Sequence, residues 1–164
     1  MTRQRSAEIR HLGGMRFATK TGTGRTFEFG DAPEANQQSP VEIITAAVAA
    51  CAGMDVVAIL EKSRAEISDY TVRVEAIQRD EYPQVLTRVE ILHEVAGPRV
   101  TEAGVRRAIK LSAMKYCPVN AMLSAGATEV HHRYRVRGTG ARPLDASGEV
   151  IVTGPYRRPD PIRS

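Results

Sequence analysis

The chain has 164 residues, 42% of them hydrophobic and 26% charged, so it is long enough to bury a core without disulfides or metals to hold it together. Its net charge of +4 comes mainly from the two ends, because residues 11–137 carry 16 basic and 15 acidic side chains. A near-neutral central segment with no Trp, three Phe and five Tyr is a poor surface for nucleic acid, and we expect no nucleic-acid partner.

The first eleven residues, MTRQRSAEIRH, are polar and are expected to form a flexible segment. They contain no apolar stretch of the kind that a secretory signal needs, which favours a cytoplasmic protein. Because cytoplasmic thiols are kept reduced, the two cysteines, Cys51 and Cys117, are not expected to form a permanent structural disulfide.

Two short strands are predicted next, at 15–20 and 25–29, joined by the turn sequence TGTG. After a loop rich in turn residues, a long helix is predicted to begin at Pro40. Ser39 is suited to the N-cap position, and Glu42, three residues later, completes a capping box, with Pro40 at the first helical position. The pattern predicts that this helix ends near Lys62.

Between Ile43 and Leu60 this helix has only two clearly polar residues, Thr45 and Asp55. A membrane span would place Asp55 in lipid at a cost of roughly 2.5–3.5 kcal/mol, which argues against one. A helix that is apolar on nearly every face must instead be enclosed by protein. Since one chain of this length offers few covering elements, we expect a second copy of the chain to cover the rest.

From residue 70 onward the sequence predicts three strands and two helices. The predicted elements are strands at 70–78 and 85–95, a helix from Thr101 to 116, a short helix from Pro118, and a strand at 127–136. Residues 138–164 are rich in Gly, Pro and Arg and are expected to be a tail. This order predicts an α+β fold with a mainly antiparallel sheet and a long buried central helix.

The two cysteines lie in different local settings. Cys51 is in the middle of the apolar helix, where a lone cysteine is usually a small core residue. Cys117 precedes Pro118 and is therefore predicted to be the N-cap of the short helix. Unpaired backbone N–H groups and the helix dipole at that place favour a thiolate, so we expect a lowered pKa for Cys117.

No metal and no cofactor are predicted. A zinc site needs four ligands at workable spacing, but the chain has no C-x-x-C, and His131 and His132 are adjacent on a strand and point to opposite faces. His132 shares its face with Val130, Tyr134 and Val136, so we interpret it as a partly buried core histidine. A G-x-S-x-G motif and a Gly-rich phosphate loop are both absent from the sequence.

Several stretches of the sequence carry a resemblance to a known family. They are the hairpin MRFATKTGTGRTFEF, the segment PVEIITAAVAAC with a Pro eleven residues before Cys51, the string CAGMDVV, and KYCPVNAML around Cys117. On these stretches residues 12–137 resemble the OsmC-like family, which includes the organic hydroperoxide resistance proteins. The string CAGMD is similar to that of a less characterised branch of the family.

The resemblance implies an intertwined homodimer whose long helices pack together at the centre. It also implies a cofactor-free thiol peroxidase, acting on organic hydroperoxides in oxidative stress defence. In that chemistry Cys51 attacks the O–O bond and becomes a sulfenic acid, Cys117 condenses with it to a disulfide, and a dithiol reductant restores both thiols. Although the helix N-terminus favours Cys117 as the more acidic thiol, we expect the order of attack that the resemblance implies.

Two positions depart from the hydroperoxide-resistance pattern, in which a Glu directly after the Pro helps to hold an Arg against the reactive thiol. Here Val41 follows the Pro, and Glu42 lies one residue further on, about 180° round the helix from Cys51, where helix capping explains it. The arginine would be Arg16 or Arg25, if either, and the sequence does not choose between them. The departures leave an alternative open: a non-peroxidase OsmC-like protein that binds a small apolar molecule at the dimer interface.

Overall fold

The structure, a computed structural model, describes residues 3–30, 37–141 and 143–155. The chain divides into two compact units, Met1–Ile44 and Thr45–Ser164. The long helix α1, Pro40–Lys62, has its first turn in the first unit and the rest of its length in the second.

The N-terminal unit contains an antiparallel three-stranded sheet in the order β1-β2-β3. Its strands are β1 Ala7–Gly13, β2 Arg16–Thr21 and β3 Thr26–Phe29. The hairpin of β2 and β3 was predicted, whereas β1 occupies residues expected to be a flexible segment, and that expectation was wrong for them. Every residue of β1 is exposed, so backbone pairing with β2 forms this strand without the apolar alternation that reveals a strand in sequence.

The start of α1 has the predicted capping box. The Ser39 backbone N–H donates to Glu42 Oε2 at 2.7 Å, and the Glu42 N–H donates to Ser39 Oγ at 3.2 Å. Two backbone donors that a helix N-terminus leaves unpaired are thereby satisfied. The capping role predicted for Glu42 is confirmed.

Among the residues that the structure describes, only one side of α1 is covered within a single chain. Val48, Ala52, Val56 and Leu60 are buried at a spacing of four residues, whereas Met54 is 74% exposed. By length and composition α1 could cross a membrane, but its buried side packs as a core helix does. The expectation of an enclosed helix is therefore met on one face, and the opposite face is left apolar and exposed.

The second unit contains a four-stranded sheet in the order β4-β5-β6-β7. Its strands are β4 Asp69–Gln78, β5 Leu86–Gly97, β6 Glu129–Gly138 and β7 Leu144–Thr153. Between β5 and β6 the chain forms α2 Glu102–Leu111, a π-helical turn Ser112–Tyr116, and α3 Pro118–Ser124. This helical connection is long enough for β5 and β6 to run parallel, while the other two strand pairs of the sheet are antiparallel. The predicted α+β class with mainly antiparallel pairing is confirmed.

The core of this unit lies between the helices and one face of the sheet. It is built from α1, α2, β5, β6 and the segment between β5 and α2. Its buried members are Val56, Leu60, Val95, Val100, Val105, Ala108, Ile109, Tyr134 and Val136. The N-cap predicted for α2 is present, because Thr101 accepts a hydrogen bond from the Gly104 N–H at 3.1 Å. These contacts fix α2, and with it the π-helical turn and α3, against the sheet.

Strand β7 corrects the expectation that residues 138–164 form a tail. Residues 144–153 pair with β6 along its length, and Leu144, Ala146 and Val150 pack against the core. Gly148 interrupts the apolar alternation of this strand, which hid it in the sequence. Residues 156–164 lie outside the described part of the chain.

We expect Ala146→Asp to destabilise the protein by about 1–3 kcal/mol, because it places a carboxylate against the core. The matched control is Ser147→Asp on the adjacent, exposed position of β7, which should change stability by less than about 0.5 kcal/mol. Urea unfolding of both variants is the measurement. Equal stability of the two would show that β7 does not cover the core.

Candidate functional site

The structure brings together both predicted site cysteines and one acid that the sequence analysis did not assign to the site. One ligand atom from each of Cys51, Asp55 and Cys117 lies within 4.8 Å of the other two. Cys51 and Asp55 are four residues apart on α1 and so share a face of the helix. Cys51 is half-buried and Cys117 is buried, and both are free thiols.

The π-helical turn places Cys117 at this site. Its closing hydrogen bond runs from the Cys117 N–H to the Ser112 carbonyl oxygen, five residues back, at 2.9 Å. The chain then turns directly into α3, and Cys117 Sγ accepts a hydrogen bond from the Asn120 N–H at 3.3 Å. The prediction that Cys117 is the N-cap of the short helix is confirmed.

Asp55 is held in place from the same turn. The Ser112 hydroxyl donates to Asp55 Oδ2 at 2.9 Å, and Ser112 itself is fully buried. One side of the carboxylate is therefore fixed by a neutral donor. The sequence signal for Asp55 was its isolation, as one of two clearly polar residues in an apolar helix.

The expected lowering of the Cys117 pKa is wrong. The pKa of Cys117 is raised to about 12, chiefly by burial and also by the hydrogen bond and charge of Cys51 and the charge of Asp55, against the lowering effect of the Asn120 N–H. The helix N-terminus does act on the thiol, as the sequence analysis argued. Its effect is outweighed because the thiol lies inside the protein, beside two groups that become anions.

Asn120 is buried beneath the thiols and connects them to the sheet. Its Nδ2 donates to the Ala113 carbonyl oxygen at 2.9 Å, and its amide also contacts the Thr153 hydroxyl on β7. A carbonyl oxygen can only accept, so this contact fixes which end of the amide is Nδ2. Oδ1 must then face His132, whose Nε2 lies 3.1 Å away.

A chain of buried hydrogen bonds runs from Asn120 across the sheet. Because Oδ1 accepts, His132 Nε2 carries a proton and its Nδ1 is free to accept from His93 Nε2, at 3.4 Å. His93 Nδ1 in turn accepts from the Tyr70 hydroxyl at 2.7 Å. With both rings neutral, the orientation of one amide sets both histidine tautomers. The core position predicted for His132 is confirmed, but its hydrogen-bond partners were not predicted.

The surroundings keep both rings neutral. Burial lowers the pKa of His93 to about 3, with His132 as a second cause, and burial lowers the pKa of His132 to about 4, with His131 as a second cause. His131 lies on the opposite face of β6, between Glu129 and Glu149 at 3.2 Å from each. The prediction that the two adjacent histidines point to opposite faces is confirmed.

Gly53 allows α1 to approach the sheet close to Tyr70, at the end of this series of hydrogen bonds. A Cβ at that position would lie 3.1 Å from Val72 Cγ2 and 3.6 Å from the Tyr70 hydroxyl. The close approach places the turn of α1 that carries Cys51 over β4.

The two candidate arginines are both in the N-terminal unit. Arg16 Nη2 pairs with Glu28 Oε2 at 3.2 Å, and Arg25 is exposed in the turn before β3. The assignment of either to a thiol stays a prediction.

Beside Asp55 the second unit has an open groove of about 320 Å³. It is lined by Asp55, Ala58, Ile59, Lys62, Leu111 and Tyr116. Further apolar side chains are exposed on the helices that carry the thiols, namely Met54, Met114 and Met122. A larger cavity on the far face of the sheet is lined by Arg73, Glu75, Glu90, Arg133 and other residues, and neither cysteine borders it.

The comparisons with known proteins agree with this fold. Residues 33–133 match the family model described as OsmC-like protein. The chain is 32% identical over 130 residues to protein YhfA of Escherichia coli K12, an alignment that covers 79% of this chain and 96% of YhfA. The chain therefore belongs to the OsmC-like protein family.

Solved structures share the architecture. A hypothetical protein from Aquifex aeolicus has 26% sequence identity and a TM-score of 0.73, with 84% of this chain and 98% of that chain covered. An organic hydroperoxide resistance protein OsmC from Legionella pneumophila has 15% identity and a TM-score of 0.62, with 83% and 98% covered. At that identity the second likeness establishes the fold alone.

We expect the protein to lose stability on acidification from about pH 6.5 to about pH 4. Unfolding returns His93 and His132 to the ordinary pKa of about 6.5, so in this range the unfolded chain binds more protons than the folded one. Each histidine then lowers the free energy of unfolding by about 1.4 kcal/mol per pH unit. Urea unfolding at stepped pH measures the slope.

The variant His132→Gln tests the assignment, since it retains a donor for Asn120 but cannot titrate. It should reduce the slope by about half, whereas the control His131→Gln should leave most of the slope in place. A slope unchanged in His132→Gln would contradict the assignment of acid sensitivity to the buried ring.

Proposed function

We propose that this protein is a cytoplasmic, cysteine-based peroxidase that reduces organic hydroperoxides and contributes to oxidative stress defence. The observation that carries the proposal is the meeting of Cys51 and Cys117, whose sulfurs come within 4.8 Å although 66 positions separate them in the chain. Membership of the OsmC-like family and the fold shared with proteins named for organic hydroperoxide resistance support it.

The roles of the two thiols follow from their surroundings. Cys51 is the more accessible sulfur and attacks the hydroperoxide, while the pKa of the buried Cys117 is raised, which disfavours it as the first nucleophile. Attack of the Cys51 thiolate transfers the terminal peroxide oxygen to sulfur, and the alkoxide leaves and takes up a proton as an alcohol. The Cys117 sulfur then displaces water from the sulfenic acid to form the disulfide, which a dithiol reductant returns to two thiols.

The groove beside Asp55 suits the organic part of the substrate. Ala58, Ile59 and Leu111 offer apolar contacts, and its volume of about 320 Å³ falls in the range of small-molecule sites. Lys62 at its edge offers a cation to a carboxylate at the end of an alkyl chain. A fatty-acid hydroperoxide is therefore the substrate type that we favour.

One equivalent of organic hydroperoxide should produce an intramolecular Cys51–Cys117 disulfide in the reduced protein. Closure to the S–S bond length of about 2.05 Å requires the sulfurs to move together by a few ångströms at most. In Cys117→Ser a trapping reagent should label a sulfenic acid on Cys51, whereas in Cys51→Ser the remaining thiol should react at least about 100-fold more slowly, as expected for a raised thiol pKa. Peptide mapping by mass spectrometry measures both.

Labelling of Cys117 in Cys51→Ser, with none on Cys51 in Cys117→Ser, would reverse the proposed order. Two free thiols after peroxide treatment of the wild type would contradict the peroxidase. That result would favour the alternative, an OsmC-like protein that binds a small apolar molecule at its dimer interface.

We further propose that the protein is a homodimer in which the exposed face of α1 meets its counterpart. Ala47, Ala50, Met54 and Ala58 lie on this face at a spacing of three to four residues and are all exposed in the single chain. Burial of the Met54 side chain alone is worth roughly 1.5–3 kcal/mol. A second copy of α1 is a cover with the same apolar character.

Met54→Asp should convert the dimer to a monomer or to aggregates, because it places a charge in the apolar contact. The control Thr71→Asp adds the same charge at an exposed position on β4 and should leave the dimer intact. Sedimentation equilibrium at micromolar concentration distinguishes these states. A folded wild-type monomer at that concentration would refute the dimer.

A further inference from the structure

Three side chains at the thiol site form a ligand set that the spacing of residues in the sequence did not reveal. Cys51, Asp55 and Cys117 each offer one ligand atom, and the three atoms lie within 4.8 Å of one another. The residues come from two separate segments, α1 and the start of α3. We propose that, in the reduced protein, these side chains bind a thiophilic divalent cation of the zinc type.

The ligand chemistry selects this class of metal. Two thiolates favour zinc over magnesium or calcium, which prefer oxygen ligands, and a carboxylate oxygen is a common third ligand of zinc. With Zn–S near 2.3 Å and Zn–O near 2.0–2.2 Å, tetrahedral ligand atoms lie about 3.5–3.8 Å apart. A pair of ligand atoms at the 4.8 Å limit must approach by about 1.0–1.3 Å, and two of the three ligands, Cys51 and Asp55, are half-buried rather than fully enclosed.

Each of two ligands already has a hydrogen-bond donor behind it. The Ser112 hydroxyl donates to Asp55 Oδ2 at 2.9 Å, and the Asn120 N–H donates to Cys117 Sγ at 3.3 Å. Donors in this position orient metal ligands and stabilise their anionic forms. The donor to Cys117 is a backbone N–H in the first turn of α3, so its position is set by the helix.

The negative charge of the three ligands also favours a cation. Ionised, the three ligands carry three negative charges within a few ångströms, and the charged groups that act on Cys117 are Cys51 and Asp55, both of which become anions. A divalent cation would neutralise most of that charge. Three protein ligands leave one coordination position, and the groove beside Asp55 gives water or a small anion access to it.

The cation and the disulfide of the proposed function exclude each other, because both use the sulfurs of Cys51 and Cys117. Metal binding itself needs no peroxide chemistry and is measured without any. The two proposals can therefore fail independently.

Titration of the reduced full-length protein with Co²⁺ and then Zn²⁺ tests the site, in a phosphine reductant and without peroxide. We expect one Co²⁺ per chain, with thiolate-to-metal charge-transfer absorption that Zn²⁺ abolishes. Asp55→Asn retains an acceptor for Ser112 but loses the charge, and it should weaken Zn²⁺ binding at least about tenfold; Ser112→Ala should weaken it by about tenfold through the loss of the supporting hydrogen bond. The matched control Asp69→Asn, an exposed acid on β4, should bind as the wild type does.

Removal of either sulfur, in Cys51→Ser or Cys117→Ser, should abolish the charge-transfer band or reduce it by half, and the thermal unfolding of each variant without metal reports whether it is folded. Absence of saturable binding in the reduced, folded wild type would overturn the site. Unchanged affinity in folded Asp55→Asn would overturn it equally, because the ion would then be held by sulfur alone.

Discussion

The orientation of one buried amide governs the centre of the second unit. The Ala113 carbonyl accepts from Asn120 Nδ2, and this single contact decides that Oδ1 faces the sheet. The tautomers of His132 and His93 follow from it. The same residue donates its backbone N–H to Cys117, so Asn120 contacts both the buried hydrogen bonds of the sheet, through its side chain, and one of the two thiols, through its backbone.

The site illustrates two electrostatic effects that oppose each other at one thiol. A helix N-terminus stabilises an anion by about 0.3–1 kcal/mol when exposed, and the N–H of Asn120 gives Cys117 that benefit. Removal of the thiol from water acts in the other direction, and so do the nearby Cys51 and Asp55. Burial is the larger effect, so the pKa of Cys117 is raised, while Cys51 is the less buried of the two residues.

Sequence reasoning succeeded where the determinants were local. The limits of α1, the capping box of Ser39 and Glu42, and the N-cap role of Cys117 depend on a few neighbouring residues, and the structure has each of them. The family resemblance was also correct, because the strings around the two cysteines are themselves local.

The remaining features depend on distant parts of the chain. Strands β1 and β7 both pair at sheet edges. Every residue of β1 is exposed, so its sequence shows no buried apolar face, and Gly148 interrupts the apolar alternation of β7. Asp55 joins the thiols only because the helical connection between β5 and β6 returns to α1, and no spacing within α1 records that. The sign of the Cys117 pKa shift failed for the same reason, since burial is a property of the assembled fold.

Met54, Met114 and Met122 are exposed in the single chain, and each has a thioether sulfur that an oxidant can attack. Thioethers at the surface take up oxygen to form sulfoxides, which are polar and chiral where methionine is flexible and apolar. Conversion of Met54 would place such a group in the middle of the uncovered face of α1. Oxidative damage would then alter how the chain associates, separately from any change at its thiols, and repair would require sulfoxide reductases rather than a dithiol acting on cysteine.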